Sequence, residues 1–315
     1  MHIAFTGATG FVGKPTLAAL ISAGHTVSIL VRKPEGQNFP AGVKIIQGRL
    51  DDTQALAKLV QGAACVIHGA GAIAALSQAE FFKVNFTGTK NISEAAKSAA
   101  VKRLIYVSSL TARMPEISPY AASKRAAEDL LQSSRSDGMS VLILRPCAVY
   151  GPGDKATLPL LAALQKRGAL IPGTAKSRFS LINVFDLAQI IADAVGSKKE
   201  GVVEVDDLAG GHSWAELAAI SFSNSGLPKN ITYLPKALVR MVAVSAEFYS
   251  IFTGLPCLIN RSKMRELYHE DWVVRGTNWP RSSAIGLAQG LGETLDWYHR
   301  EGWLPRVKAE AKSTR

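Results

Sequence analysis

Cysteine is scarce in this chain of 315 residues: Cys65, Cys147 and Cys257 stand far apart, odd in number and without C-x-x-C spacing. That pattern argues against a disulfide framework and against a zinc site, and it fits a reducing, cytoplasmic setting. No metal is expected. Long apolar runs are missing too. The longest uncharged run, residues 59–79, is interrupted by Gln61, Gly62, Gly69 and Gly71 and reads as strand and loop. A second apolar region, 237–259, carries Arg240 and Glu247, so it also fails as a membrane span. No cleavable leader is expected, because a glycine turn already begins at residue 7. Internal repeats and low-complexity segments are absent. Acidic residues are in short supply: 36 Lys and Arg face 25 Asp and Glu, a formal charge of +11. No basic cluster interleaves with aromatics, so nucleic acid is not an expected partner. The excess reads as a solvated basic surface, which would also steer a phosphorylated cofactor.

What is present begins at the first residue. In MHIAFTGATGFVG, the apolar Ile3, Ala4 and Phe5 form a strand that turns at Thr6-Gly7 into Gly7, Gly10 and Gly13. A helical stretch over 14–23 follows, with Leu17, Leu20 and Ile21 at helix spacing. Strand, glycine turn and helix together make a dinucleotide site. Gly7 allows the tight turn, Gly10 admits a pyrophosphate to the backbone, and Gly13 lets helix and strand pack closely. The helix N-terminus then offers unpaired N–H donors to the phosphates. Cofactor contacts are therefore expected from Gly7, Thr9, Gly10, Phe11, Val12 and Gly13.

Further strands are expected at 26–31, 43–46, 64–67, 103–107 and 141–144, with helices at 53–60, 77–100 and from Tyr120 onward. Such alternation predicts an α/β fold with a doubly wound parallel sheet of the Rossmann kind. The second strand runs into Arg32-Lys33, where an acid would bind the ribose of NAD. Two cations there suit a 2′-phosphate instead, so NADP is the favoured cofactor and NAD the alternative. The small residues Gly69 and Ala70 after the fourth strand let the cofactor lie on backbone, and Pro146 at the end of the sixth borders the same crevice. His68 reads as a packed strand-end side chain. The dinucleotide domain is expected over 1–150 plus about 180–205. A smaller, mostly helical substrate lobe takes 151–179 plus 206–305 and holds every tryptophan, and 306–315 form a basic tail.

One helix carries a reactive pattern. Ser118 is a good N-cap, Pro119 suits the first helical position, and Tyr120 and Lys124 share a face one turn apart. A tyrosine can move the proton that accompanies hydride transfer if its pKa, near 10, is lowered. The Lys124 ammonium and the helix N-terminus act in that direction, and the Ser109 hydroxyl can hold the substrate oxygen.

These pieces together resemble the extended short-chain dehydrogenase/reductase family, of the NAD-dependent epimerase/dehydratase type. The matching stretches are TGATGFVG at 6–13, VNFTGT at 84–89, YVSS at 106–109, SPYAASK at 118–124, LRPCAVYGPGD at 144–154, VFDLA at 184–188 and TLDWYHREGWL at 294–304. The resemblance implies Ser109 as carbonyl-positioning residue, Tyr120 as acid/base, and Lys124 as partner to Tyr120 and the nicotinamide ribose. It implies Asn85 as support for the loops around the nicotinamide. Members often pair through helices matching 77–100 and 119–134, so a homodimer is implied as well. The sequence departs from the family at Arg49, which follows Gly48 where many relatives place an adenine-touching acid; Asp51 or Asp52 substitutes. The stretch 178–183 does not match the arginine-acid pair of the sugar-nucleotide branches in register. The leading expectation is an NAD(P)-dependent oxidoreductase acting on a small-molecule carbonyl or alcohol. An epimerase or dehydratase with retained cofactor is the alternative, and a non-catalytic nucleotide-binding scaffold a weaker one. The apolar segment 238–259, with Phe248, Tyr249, Phe252 and Leu255, reads as helix packing or as the lining of a pocket for a hydrophobic substrate.

Overall fold

Runs such as Ile3-Ala4-Phe5 and Leu142-Ile143-Leu144 are apolar on both sides, as strands covered by helices on both faces must be. The computed structural model describes residues 1–133, 138–166, 168–223, 230–254, 260–276, 279–280 and 284–305, so the tail at 306–315 and residues 255–259 lie outside the described residues. The strands are β1 (His2–Thr6), β2 (Thr26–Val31), β3 (Lys44–Gln47), β4 (Cys65–His68), β5 (Arg103–Val107) and β6 (Ser140–Pro146). With Gly201–Val205 they form a seven-stranded parallel sheet ordered Gly201–Val205, β6, β5, β4, β1, β2, β3. The chain winds one way from β1 through β3 and the other way from β4, so the crevice opens between the carboxyl ends of β1 and β4.

Helix α1 (Gly13–Ser22) covers one face of the sheet beside the helix Val184–Gly196. Here Leu17, Leu20, Ile190 and Ile191 meet Ile3, Phe5 and Ile29 in one apolar cluster. Helix α2 (Thr53–Val60) lies on the opposite face, capped by the Asp52 carboxylate, which accepts from the Ala55 N–H at 2.9 Å. The helix expected over 77–100 is present but interrupted. It runs as α3 (Gln78–Phe81), a π-helical segment Phe82–Thr87, and α4 (Gly88–Ser98). The wider turn buries Asn85 completely. π-Helical turns of this kind are concentrated at functional sites. Helix α5 (Pro119–Ser133) completes this face.

A third apolar cluster belongs to the smaller lobe and gathers Leu161, Ile171, Phe179, Trp214, Leu291 and Tyr298. Short strand pairs stitch the lobe together, Gly168–Pro172 with Asn230–Leu234 and Arg178–Phe179 with both His212–Ser213 and Asp271–Trp272. Among the described residues no helix is long and apolar enough to cross a membrane.

At the switch point β1 and β4 are joined through side chains. His68 is fully buried, with Nδ1 2.6 Å from the Thr6 hydroxyl and Nε2 3.0 Å from the Thr89 hydroxyl. Burial, helped by the nearby Lys124 charge, pushes its pKa down to about 3. An unfolded histidine protonates near pH 6.5, so acid favours the unfolded chain and the stability held above that pH is lost as pH falls toward the folded value. The His68→Gln variant keeps a donor and an acceptor. It should show a flatter dependence of Tm on pH between about 6 and 4, where His68 alone contributes a slope approaching about 1.4 kcal/mol per pH unit. Thermal melts across that range check it; parallel curves for both proteins would refute it.

Candidate active site

The turn after β1 is built from backbone approaching backbone. Gly7 holds φ at +88°, and a Cβ there would lie 2.6 Å from Ala70 N and from the Gly69 carbonyl carbon. A Cβ on Gly13 would run into the Gly7 carbonyl oxygen. Gly10 N–H donates to that same oxygen at 3.0 Å and closes the turn. Gly7, Phe11, Val12, Gly13 and Gly69 line a cavity of about 900 Å³ that reaches Ser109, Tyr120, Lys124 and Pro146. A bare-backbone cradle at a helix N-terminus fits the pyrophosphate of a dinucleotide. Thr9, half-buried, and Gly10, exposed, belong to the turn without lining that cavity, and Ala70 sits just behind it. Arg32 and Lys33 follow β2, are exposed, and do not line that cavity. Of the two acids beyond Arg49, Asp52 is committed to the α2 cap. Asp51 is exposed, and the Arg49 guanidinium, 3.1 Å away, holds its carboxyl below the usual range.

Helix α5 begins where its residues require. The Ser118 hydroxyl accepts from Ala121 N–H at 3.0 Å, Pro119 takes the first turn, and Tyr120 faces the cavity. Ser109 lines the same cavity, and its hydroxyl lies 2.9 Å from that of Thr111 and accepts from Thr111 N–H at 3.2 Å. Ser108, the neighbouring serine, donates instead to the buried Glu128 carboxylate at 2.5 Å. Glu128 in turn holds Arg145 through hydrogen bonds of 3.0 and 2.5 Å. One serine therefore serves the cavity and the other the frame. Asn85 ties the loop after β4 to α5: its Oδ1 accepts from Ala72 N–H at 2.7 Å, and its Nδ2 donates to Ala72 O at 3.1 Å and to the Ser123 hydroxyl at 2.9 Å.

The sequence leads to the expectation that Lys124 acidifies Tyr120, and the structure corrects it. Burial raises the phenol to about 12; the Ser109 side chain opposes this and the Glu266 charge adds to it. The Lys124 ammonium is not aimed at the phenol. It donates to the Val107 carbonyl at 2.8 Å and stands 4.6 Å from the centre of the Tyr106 ring. Burial lowers its own pKa to about 8, with Glu128 opposing. Tyr120 is thus a protonated donor throughout the neutral range, suited to giving a proton to a carbonyl oxygen that becomes an alkoxide.

Two residues that motif reading passed over complete the site. Gly71 lies where a Cβ would stand 3.1 Å from Asn85 Oδ1 and 3.4 Å from Lys124 Nζ, so only glycine leaves the loop this close. Glu266, on the lobe helix Arg261–Leu267, is buried, lines the cavity and pairs with Lys263 at 2.9 Å. Gly71 was visible as a small residue after a strand; Glu266 carried no signal, since an acid beside basic residues in a helix looks like a solvated pair. The remaining lining from the lobe is largely apolar, including Leu161, Leu170, Phe179, Trp214, Leu217 and Leu267.

Comparison with known proteins agrees with this geometry. Residues 3–206 match the NAD dependent epimerase/dehydratase family. The chain is 36 % identical over 310 residues to the ceramide reductase of Caulobacter vibrioides (strain NA1000 / CB15N), covering 96 % of each protein. It is 32 % identical over 189 residues to the 2-alkyl-3-oxoalkanoate reductase of Stenotrophomonas maltophilia (strain K279a), over 54 % of this chain and 57 % of that one. Among solved structures, MoeE5 in complex with UDP-glucuronic acid and NAD shares the fold, with a TM-score of 0.69, 21 % identity, and coverage of 96 % and 100 %. The chain belongs to the NAD-dependent epimerase/dehydratase family. Within it, the protein is an NAD(P)-dependent oxidoreductase of the extended short-chain dehydrogenase/reductase type.

Glu266 gives the site a measurable electrostatic signature. Neutralising it removes a charge that disfavours the phenolate, so Glu266→Gln should move the Tyr120 titration to lower pH. The phenolate absorbance difference between each protein and its Tyr120→Phe counterpart reports that midpoint; an unmoved midpoint would separate Glu266 from the site.

Proposed function

We propose that this chain is an NADP-dependent reductase of a 3-oxo group on a substrate carrying long alkyl chains. The observation that carries the reading is the largely apolar cavity of about 900 Å³ that extends from Tyr120 into the lobe. Support comes from relatives named for ceramide and for 2-alkyl-3-oxoalkanoates. The second name describes a ketone beside an alkyl chain. A nucleotide-sugar would bury several hydroxyl groups against these apolar walls without partners, at a cost of about 1–3 kcal/mol for each unpaired group.

When bound, the reduced nicotinamide supplies the hydride to the carbonyl carbon. Tyr120 donates its proton to the carbonyl oxygen, and Ser109, which lines the same cavity, holds that oxygen in place. Lys124 has spent one of three ammonium donors on Val107 O, which leaves two for the hydroxyls of the nicotinamide ribose. Asn85 and Ser123 keep the β4 loop and α5 at a fixed separation. Gly7, Thr9, Gly10, Phe11, Val12, Gly13, Gly69, Ala70 and Pro146 would hold the dinucleotide, with Asp51 toward the adenine. Arg32 and Lys33, exposed after β2, favour the 2′-phosphate of NADP over NAD.

Nicotinamide absorbance followed with NADPH or NADH against a panel of 3-oxo amides, 3-oxo esters and short ketones tests the whole reading. Long-chain 3-oxo compounds with NADPH should be the best pair, and Tyr120→Phe should lose about 10²–10⁴-fold in kcat/KM. Full activity of Tyr120→Phe would remove it as the acid. Nucleotide that stays bound through purification, with turnover needing no added cofactor, would favour the epimerase or dehydratase alternative. Arg32→Asp should invert or abolish the preference for NADP; an unchanged ratio of NADP to NAD affinity would overturn the cofactor assignment.

A further inference from the structure

Six of the thirteen most exposed large hydrophobic side chains among the described residues lie on one lobe helix, Lys236–Thr253. They are Leu238, Met241, Val242, Phe248, Tyr249 and Phe252. Their spacing is three, then one, then six, then one, then three, which keeps all of them on a single stripe of the helix. The exposure is large: 61 % at Met241, 59 % at Phe248, 67 % at Tyr249 and 88 % at Phe252. The opposite stripe is the packed one. Ala243 and Ser250 are buried, and Glu247 turns inward to Arg261, which it meets at 2.7 Å. Glu247 and Ser250 also line the substrate cavity, so this helix is one wall of it. Elsewhere on the cavity lining, Ile73, Leu76 and Leu170 are exposed as well, which gives the mouth an apolar rim.

We infer that the helix Lys236–Thr253 lies on the surface of a bilayer containing anionic lipid and sets the cavity mouth against the membrane from which an alkyl-chain substrate is drawn. The inference rests on the proposed substrate class. Three observations select a membrane over a second copy of the chain. The stripe is apolar with an aromatic end, the form taken by helices that lie in a lipid interface. The chain carries a net charge of +11, which opposes self-association and complements an anionic surface. The same helix supplies cavity wall on its inner side, so docking its outer stripe brings the cavity to the lipid. The helix is too short and too polar to span, so it lies along the surface.

Sedimentation of the full chain with vesicles tests this directly. Vesicles of phosphatidylcholine mixed with phosphatidylglycerol should bring the protein down, phosphatidylcholine alone should do so weakly, and high salt should reduce binding to the mixed vesicles. The double variant Met241→Glu, Phe252→Glu changes exposed positions outside the cavity lining. It should lose at least tenfold in vesicle binding and in turnover of a long-chain 3-oxo amide carried in the vesicles, while reducing a short water-soluble 3-oxo ester at the parent rate. Equal binding of parent and double variant would overturn the proposal. So would a parent that ignores vesicles but forms a dimer which the double variant breaks, because the stripe is then an interface between copies. The two readings fail separately. Reduction of soluble long-chain ketones without vesicle binding refutes only the docking, whereas vesicle binding without reduction of any ketone refutes the proposed function.

Discussion

The site depends on a helix that buries polar side chains where a helix ordinarily buries apolar ones. Along the inner face of α5, Ser123 and Glu128 are fully buried and Lys124 nearly so. Each survives there because it has a partner: Asn85 for Ser123, the Val107 carbonyl for Lys124, and Ser108 with Arg145 for Glu128. Arg145 extends the chain to Glu204 at the sheet's edge strand. Removing one partner of a buried ion pair costs about 3–5 kcal/mol, because the charge left behind has no water to return to. Buried polar contacts thereby tie five elements together through α5: the π-helical segment, β5, α5 itself, β6 and the strand Gly201–Val205. Tyr120 sits in the first turn of the helix that these contacts hold.

The network also explains why Tyr120 is a stronger base, not a stronger acid, than a free tyrosine. The Lys124 ammonium donates to a backbone carbonyl, and the side-chain charge that acts on the phenol is that of Glu266, which raises it. With Lys124 turned to Val107, desolvation decides the matter and carries the phenol to about 12. The shift suits the reductive direction, in which the group must hold a proton at neutral pH until an alkoxide draws it off.

Much of this was legible in the sequence, and the reasons are local. β2, β5 and α2 begin and end at the expected residues because turn and cap chemistry brackets them: Arg32-Lys33 after Val31, Ser108 after Val107, Asp52 before Thr53. The glycine turn followed from short-range rules. The interruption of the helix at 82–87 was not legible, since a π turn inserts a residue without any residue type that demands one. Glu128 was passed over because an acid eight positions beyond Tyr120 looks like the solvated side of a helix, and only the fold brings Arg145 to it. The direction of Lys124 escaped for the same reason. Sequence spacing places two side chains on one face, but the acceptors around them belong to other strands.

The lobe poses a different problem. Its walls come from segments far apart in the chain, Leu161 and Leu170 from one part and Leu267 from another, joined by strand pairs only two to five residues long. No periodicity records such an assembly. Its chemistry nonetheless reaches Tyr120 through Glu266, a buried acid on the cavity wall whose charge raises the phenol. A purely apolar cavity would hold alkyl chains in any orientation. On the proposed function, the Glu266 carboxylate would accept from a hydroxyl or amide N–H of the substrate and so help set which carbon faces the hydride. On that reading, specificity would come from the contrast between apolar walls that accept chain length and a buried acid that sets register.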